Sequence, residues 1–256
     1  MKPDVGWRGF GVRLVANRDE LGAYLAEFPA GSGFIVQEFI AHAGEIAMLY
    51  ARRPDEAVGR IFSATFRYYP QVVGDGRNTI RQLIVANSRT RWKLDYLEGV
   101  APDHLALVRD QLDAVPAAGE RVRLSVIGSN RVGGLYIDAA TYVTTALGDK
   151  IDAIARSMPD FHFGRFDIKF RDIEALGRGE DFWIVEVNGA GAEAIHMWDP
   201  DKSLLEAYLV LFRQNALLFE IGALNRKRGH NPTSVARMIA YVRKQNRLTE
   251  RYPPSN

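Results

Sequence analysis

The sequence predicts an α+β fold, on three observations. Four stretches, "EIAMLYAR" (45–52), "AVGRIFSATFRYY" (57–69), "FGRFDIKF" (163–170) and "FWIVEVN" (182–188), are rich in β-branched and aromatic residues and read as strands. Two long segments read as helices: 203–222, which is largely apolar, and 234–248, with Val235, Met238, Ile239 and Val242 on one face. Strands and helices are intermixed without strict βαβ alternation.

The remaining elements follow in order. Residues 2–15 read as a strand interrupted by the glycine loop of "KPDVGWRGFGV". Asn17 is an N-cap, with Glu20 three residues on, so a helix runs to about Phe28, where "PAGSG" breaks it. "FIVQEFI" (34–40) reads as an apolar strand. "GDGRN" (74–78) is a turn shaped by Asp75, and 79–87 is a short helix. Residues 88–120 are irregular and partly helical. "RVRLSVIG", "RVGGLYID" and "ATYVTTAL" form a β-rich stretch, followed by a helix over 148–157.

The chain of 256 residues has no cysteine, which excludes disulfides and thiol chemistry and fits a cytoplasmic protein. No window approaches the apolar length needed to span a bilayer, so no transmembrane segment is expected. A net charge of +2 gives no argument for nucleic acid. The balance is uneven, however. From Ile221 onward eight basic residues stand against the single acid Glu250, a net +7, which leaves the first 220 residues near −5. Such a tail suits an anionic surface, the acidic body of the chain, or plain solvent.

The strands 163–170 and 182–188 carry the densest chemistry. Paired antiparallel about "EALGRGE", they set Arg165 opposite Asn188 and Asp167 opposite Glu186, all four on one side. The other side holds Phe166, Ile168, Phe170, Trp183, Val185 and Val187 as a core face. Two carboxylates in direct opposition repel unless something compensates. A divalent cation does so, and Asp, Glu and Asn oxygens are hard ligands that suit Mg²⁺. The same spacing fits a solvated face on which Arg165 and Lys169 neutralise the acids.

In the opening loop, Gly6, Gly9 and Gly11 permit positive φ and close backbone approach. Successive N–H groups of such a loop cradle anions, and Lys2 and Arg8 add charge. The spacing matches neither the dinucleotide fingerprint nor the P-loop, and a glycine-rich surface hairpin fits it equally.

Taken in order, "KPDVGWRGFGV", "FIVQEFIAHAGE", "IFSATFRYYPQVVGDGRNTIRQLI", "NRVGGLYID", "FGRFDIKF" and "IVEVNGAGAEA" resemble the ATP-grasp superfamily, in particular its D-alanine–D-alanine ligase-like carboxylate–amine ligases without their N-terminal lobe. "VVGDGRNTIRQLI" also looks like part of cyanophycin synthetase-type enzymes. The resemblance implies two α+β lobes clasping nucleotide: 1–44 as the small lobe, 45–222 as the large lobe, and 223–256 as a basic helical tail. It implies that Lys2 contacts phosphates under Gly6, Gly9 and Gly11, that Gln37, Glu38 and Ile40 form the adenine hinge, that Glu45 binds ribose, and that Arg67 reaches phosphate. Asp167, Glu186 and Asn188 match ligands of two Mg²⁺ ions, with Mn²⁺ as a substitute, and Arg165 faces the reacting carboxylate.

The implied activity is ATP-dependent joining of a small carboxylate to an amine through an acyl-phosphate. The alternatives are a partial module that binds nucleotide or a partner without turnover, and phosphorylation without ligation. "GAGAEA" after Asn188 lacks the proline turn of the D-alanine ligases, which disfavours D-alanine as substrate. The C-terminal helices offer a surface for a second copy or a partner chain. His42, His104, His162, His196 and His230 show no metal-ligand spacing and read as structural. Arg52 and Arg131 suit a substrate carboxylate or a surface ion pair. Trp7 and Trp198 suit a pocket or the core, and Ser125 and Ser129 form no triad with the histidines.

Overall fold

The computed structural model describes residues 1–6, 9–94, 106–125, 128, 130 and 133–253. The expectations for Trp7, Arg8, His104, Ser129 and Arg131 fall outside the described residues. The strands are β1 (Lys2–Pro3), β2 (Phe34–Ile35), β3 (Gly44–Ala51), β4 (Arg60–Tyr68), β5 (Gln71–Val73), β6 (Arg121–Arg123), β7 (Leu135–Asp138), β8 (Phe163–Phe170) and β9 (Phe182–Asn188). The α-helices are α1 (Arg18–Glu27), α2 (Ile80–Ala86), α3 (Thr145–Ser157), α4 (Ile173–Gly177), α5 (Leu204–Lys227) and α6 (Val235–Thr249). The fold is α+β, with antiparallel pairing in every strand pair described.

The chain divides into two compact units, residues 1–39, 69–135 and 233–256 forming one and residues 40–68 and 136–232 the other. In the first, β1 pairs with β2, and α1 starts where Asn17 accepts from the Glu20 backbone N–H at 2.9 Å. Tyr24, Phe28 and Tyr252 form an aromatic cluster, with Met1 and Leu248 packed on it. The Tyr24 hydroxyl donates to the Gly11 carbonyl at 2.8 Å, and burial pushes its pKa up to about 12. A separate core of Val72, Ile80, Ile84, Val108, Leu112 and Leu124 lies against α2 and the β5–β6 pair. Thr79 and Gln82 cap α2 reciprocally. Asp75 accepts from the backbone N–H groups of Arg77 and Asn78, which shapes the "GDGRN" turn and lowers the acid's pKa, Asn78 contributing most.

The second unit is built on a five-stranded sheet in the order β7-β4-β3-β8-β9. One face buries Ile46, Met48, Tyr50, Ala64, Phe166, Ile168 and Phe170 against Leu147, Ile151 and Ala155 of α3 and Leu176 of α4. Asp152 of α3 anchors this side. Its Oδ1 accepts from the Tyr50 hydroxyl at 2.7 Å and the Gly59 N–H at 2.8 Å, and its Oδ2 pairs with Arg156 at 2.8 Å. The opposite face buries Leu49, Ala51 and Phe163 under Ala192, Ala194 and Ile221 of α5, leaving its other end polar.

Several sequence expectations are corrected. The strands expected over 2–15 and 34–40 shrink to two residues each, and Val36 and Phe39 are exposed, because only Lys2–Pro3 and Phe34–Ile35 find each other as partners. "ATYVTTAL" is no strand. Thr144 accepts from the Leu147 N–H at 3.1 Å and starts α3 there, so the cap overrides the β-branched run. "EALGRGE" contains part of the short helix α4 rather than a bare turn. The apolar helix expected to end at Gly222 runs to Lys227. Against the expectation that no window approaches such a length, it is long and apolar enough to cross a membrane by length and composition, and little of it is buried. Arg213 and Glu220 lie 7 residues apart, too sparse to interrupt it.

His162 is buried beside Arg228, with Nε2 and Nη1 3.2 Å apart. Burial lowers its pKa below the ordinary 6.5, and the charges of Arg52 and Arg228 push the same way. The unfolded chain therefore takes up this proton first. Stability is fully present above about pH 6.5 and is lost as pH falls below it. Between pH 7.5 and pH 5 the fall in Tm should be at least ~2 °C smaller in His162→Gln than in the wild type. Equal falls would show that this imidazole protonates as freely folded as unfolded.

Candidate functional site

The polar end of the second unit's sheet is set by register. β8 pairs with β3 without interruption, which places Lys169 opposite Glu45, Asp167 opposite Ala47 and Arg165 opposite Leu49. β9 places Asn188 opposite Arg165 and Glu186 opposite Asp167, as the sequence spacing predicts. Arg67 extends from β4, the next strand out on the other side. Alternation then puts Glu45, Arg67, Arg165, Asp167, Lys169, Glu186 and Asn188 on one face.

These side chains form a chain of alternating charge. Lys169 Nζ lies 3.1 Å from Glu45 Oε2, and Arg67 Nη1 bridges Glu45 Oε1 at 2.9 Å and Asp167 Oδ2 at 3.0 Å. Arg165 donates twice to Asp167, through Nε at 2.7 Å and Nη2 at 3.2 Å. The Asn188 amide reaches Asp167 Oδ2 at 3.5 Å. Glu45 and Asp167 are only 6% and 2% exposed. Buried carboxylates persist as ions only when paired, and here every oxygen of both acids meets a cation. Thr65, fully buried opposite Ala47 and so in one row with Asp167, has no hydrogen-bond partner for its hydroxyl among the described residues.

The second half of the β8–β9 pair departs from the predicted register. Beyond Asp167 the pairing shifts, so Ile168 faces Ile184 and Lys169 faces Trp183, leaving Val185 as an extra residue. Phe182 and Ile184, not Trp183 and Val185, therefore turn to the core. Trp183 instead packs on His42 with ring centroids 4.5 Å apart, next to Lys169, which also donates to the His42 carbonyl at 3.3 Å. Val187 stays 42% exposed. After β9 the chain is held by buried Gln214 of α5, which accepts from the Ala194 N–H at 2.7 Å and donates to the Ala192 carbonyl at 3.1 Å.

Of the residues singled out by sequence, the structure brings together Glu45, Arg67, Arg165, Asp167 and Asn188, with Glu186 across from Asp167 and solvent-exposed. Ile40 belongs to the same unit and is half-buried. Lys2, Gly6, Gly9, Gly11, Gln37 and Glu38 belong to the first unit. Gly9 and Gly11 adopt φ of 79° and 71°, as an anion-cradling loop needs, and Gly6 adopts no positive φ. A side chain at Gly11 would run into Pro3 and Tyr252, so this glycine also serves packing. Gln37 and Glu38 are exposed. Arg52 turns to the Glu56 carbonyl at 3.4 Å, Trp198 is exposed, and His196 lies half-buried with its pKa lowered by desolvation. Sequence reading set Lys169 against the hairpin acids. Its partner is Glu45, because β3 is the neighbour of β8, a long-range pairing with no local signal.

For metal binding, the donor chemistry fits and the immediate surroundings compete. Asp167 and Glu186 are hard oxygen donors in direct cross-strand opposition, with Asn188 two pairs along. Two guanidinium groups hold the Asp167 oxygens, so a dication has to displace at least one. Among the described residues no three His, Cys, Asp or Glu side chains are grouped as metal ligands.

No family model matches the chain, and no curated protein matches it. Among solved structures it is similar to a bifunctional glutathione synthetase from Pasteurella multocida, with 16% identity, 77% of this chain and 27% of that one covered, and a TM-score of 0.40. The chain spans just over a quarter of that protein's length, and a likeness of this depth assigns neither activity nor substrate.

Proposed function

We propose that the chain is an ATP- and Mg²⁺-dependent ligase joining a small carboxylate to an amine through an acyl-phosphate. The supporting observation is the gathering of Glu45, Arg67, Arg165, Asp167 and Asn188, with Glu186 opposite, on one polar sheet face. Arg67 and Arg165 present forked donors suited to phosphate and carboxylate oxygens. Held by Asp167, the Arg165 fork is fixed before any substrate arrives, which lowers the entropy lost on binding. Asp167, Glu186 and Asn188 are the donors that would hold Mg²⁺, which when bound draws charge from phosphoryl oxygens. Arg165 then stabilises charge on the acyl oxygens as the amine displaces phosphate. Lys2, Gly6, Gly9, Gly11, Gln37, Glu38 and Ile40 keep, as part of this proposal, the nucleotide-contact roles the sequence resemblance implies.

The test is calorimetric titration of Mg·ATP into the wild type and into Glu186→Gln. Glu186 is exposed, so its substitution spares the fold. Binding that requires Mg²⁺ and weakens at least ~10-fold in the variant is expected, with ADP released only when carboxylate and amine are both present. Binding of equal strength without Mg²⁺, or none at all, overturns the proposal. A second reading, a nucleotide-binding module without turnover, draws on the pairing of all four carboxylate oxygens of Glu45 and Asp167 with the chain's own cations. It predicts binding with no ADP under any substrate combination.

A further inference from the structure

Among the described residues, helix α6 packs on its unit only near its end. Leu248 is half-buried against the Tyr24, Phe28 and Tyr252 cluster, whereas every residue from Val235 to Lys244 is exposed. A helix of this length is marginal in water alone and ordinarily draws its stability from packing an apolar stripe. The stripe is present. Val235, Met238, Ile239 and Val242 stand at i, i+3, i+4 and i+7 and are all exposed, with Tyr241 at the margin. At roughly 100° per residue, Arg237, Lys244 and Arg247 fall on the opposite half of the helix, with Arg243 at its edge. No acid occurs between Val235 and Thr249.

The complement of this helix is apolar beneath and negative around. A second copy of this helix covers the stripe but brings no carboxylate to the basic side, which stays without a negative partner. A polyanion such as RNA meets the second condition and leaves the stripe in water. A bilayer carrying anionic headgroups meets both: the acyl boundary takes the four apolar side chains, and the headgroups take the arginines and lysine. We propose that α6 is an interfacial helix that docks the chain on an anionic lipid surface.

The experiment is co-sedimentation of the full chain with vesicles of phosphatidylcholine alone and of phosphatidylcholine containing phosphatidylglycerol, at low and high salt. The wild type should sediment with the anionic vesicles only, and less so at high salt. The paired variants Ile239→Glu/Val242→Glu and Arg243→Glu/Lys244→Glu should each weaken this by about tenfold or more. Both pairs lie where α6 is exposed, so the aromatic cluster is untouched. Four results overturn the assignment. One is equal or absent partition onto the two vesicle types. Another is a loss caused by Phe212→Glu in α5 but not by the α6 variants. A third is a dimer in sedimentation velocity that Ile239→Glu dissociates. The last is RNA binding that Ile239→Glu/Val242→Glu leaves unchanged.

Discussion

Replacing Asp167 with alanine is expected to cost about 3–5 kcal/mol of folding stability, the range for breaking a buried ion pair from one side. The carboxylate is 2% exposed and takes two hydrogen bonds from Arg165 and one from Arg67, whose side chains are themselves mostly buried. Its removal leaves two guanidinium groups against the single remaining acid Glu45, with their desolvation uncompensated. Urea unfolding should show a lower midpoint at unchanged slope. Asp167→Asn, which keeps an acceptor and loses the charge, should fall between the wild type and the alanine variant. Glu186→Ala, at the exposed position across the strand, should stay within about 0.5 kcal/mol of the wild type. If Asp167→Ala unfolds at the wild-type midpoint, the alternating charges do not hold this face together.

Gly164→Ala should be almost as costly, about 3 kcal/mol, at the upper end of overpacking. Gly164 pairs with Tyr50 in the middle of the sheet. A Cβ here would overlap the carbonyl oxygen of Asn188 and the Phe161 ring, and the first of these is backbone that cannot rotate away. Asn188, the last residue of β9, has to move, which takes its side chain away from its place opposite Arg165. The variant should therefore lose stability in urea and, on the proposed function, Mg·ATP affinity as well. Gly191→Ala, where an added Cβ meets nothing within 4 Å, is the matched control and should change neither. A Gly164→Ala protein as stable as the control would show that β9 has freedom to shift at its end.

The sequence made local features legible. The cap read at Asn17 starts its helix through side-chain acceptance, and the helix starts read at Thr79 and Ser234 also turn out to be caps, because such signals lie within four residues. The opposition of Asp167 and Glu186 was also readable, since a short connection leaves a hairpin few registers. Three things escaped. Val185 breaks the alternation, and nothing in its type announces a bulge. "FIVQEFI" has strand composition but finds pairing for only its first two residues, and composition does not name a partner. The Glu45–Lys169 and Arg67–Asp167 pairs depend on β3 lying between β4 and β8, a contact order set by about one hundred intervening residues.

The bulge at Val185 has a counterpart on the other side of the sheet. Between Leu49 and Tyr50 the β3–β4 register also shifts, which makes Phe62 supernumerary in β4. The central pair β3–β8 runs without a break, and each of its flanking strands carries one residue more than pairing requires. Length is thus fixed at the centre and slack on either side. Shortening β9 by one residue at Val185 leaves Ile184 on the core side and Glu186 on the polar side, because the regular alternation is what then remains. The same deletion in β8 sends Arg165 and Asp167 to the greasy side or Phe166 to the wet one. Two strands of this sheet can change length while both faces keep their composition, and the strand that bears Asp167 is not one of them.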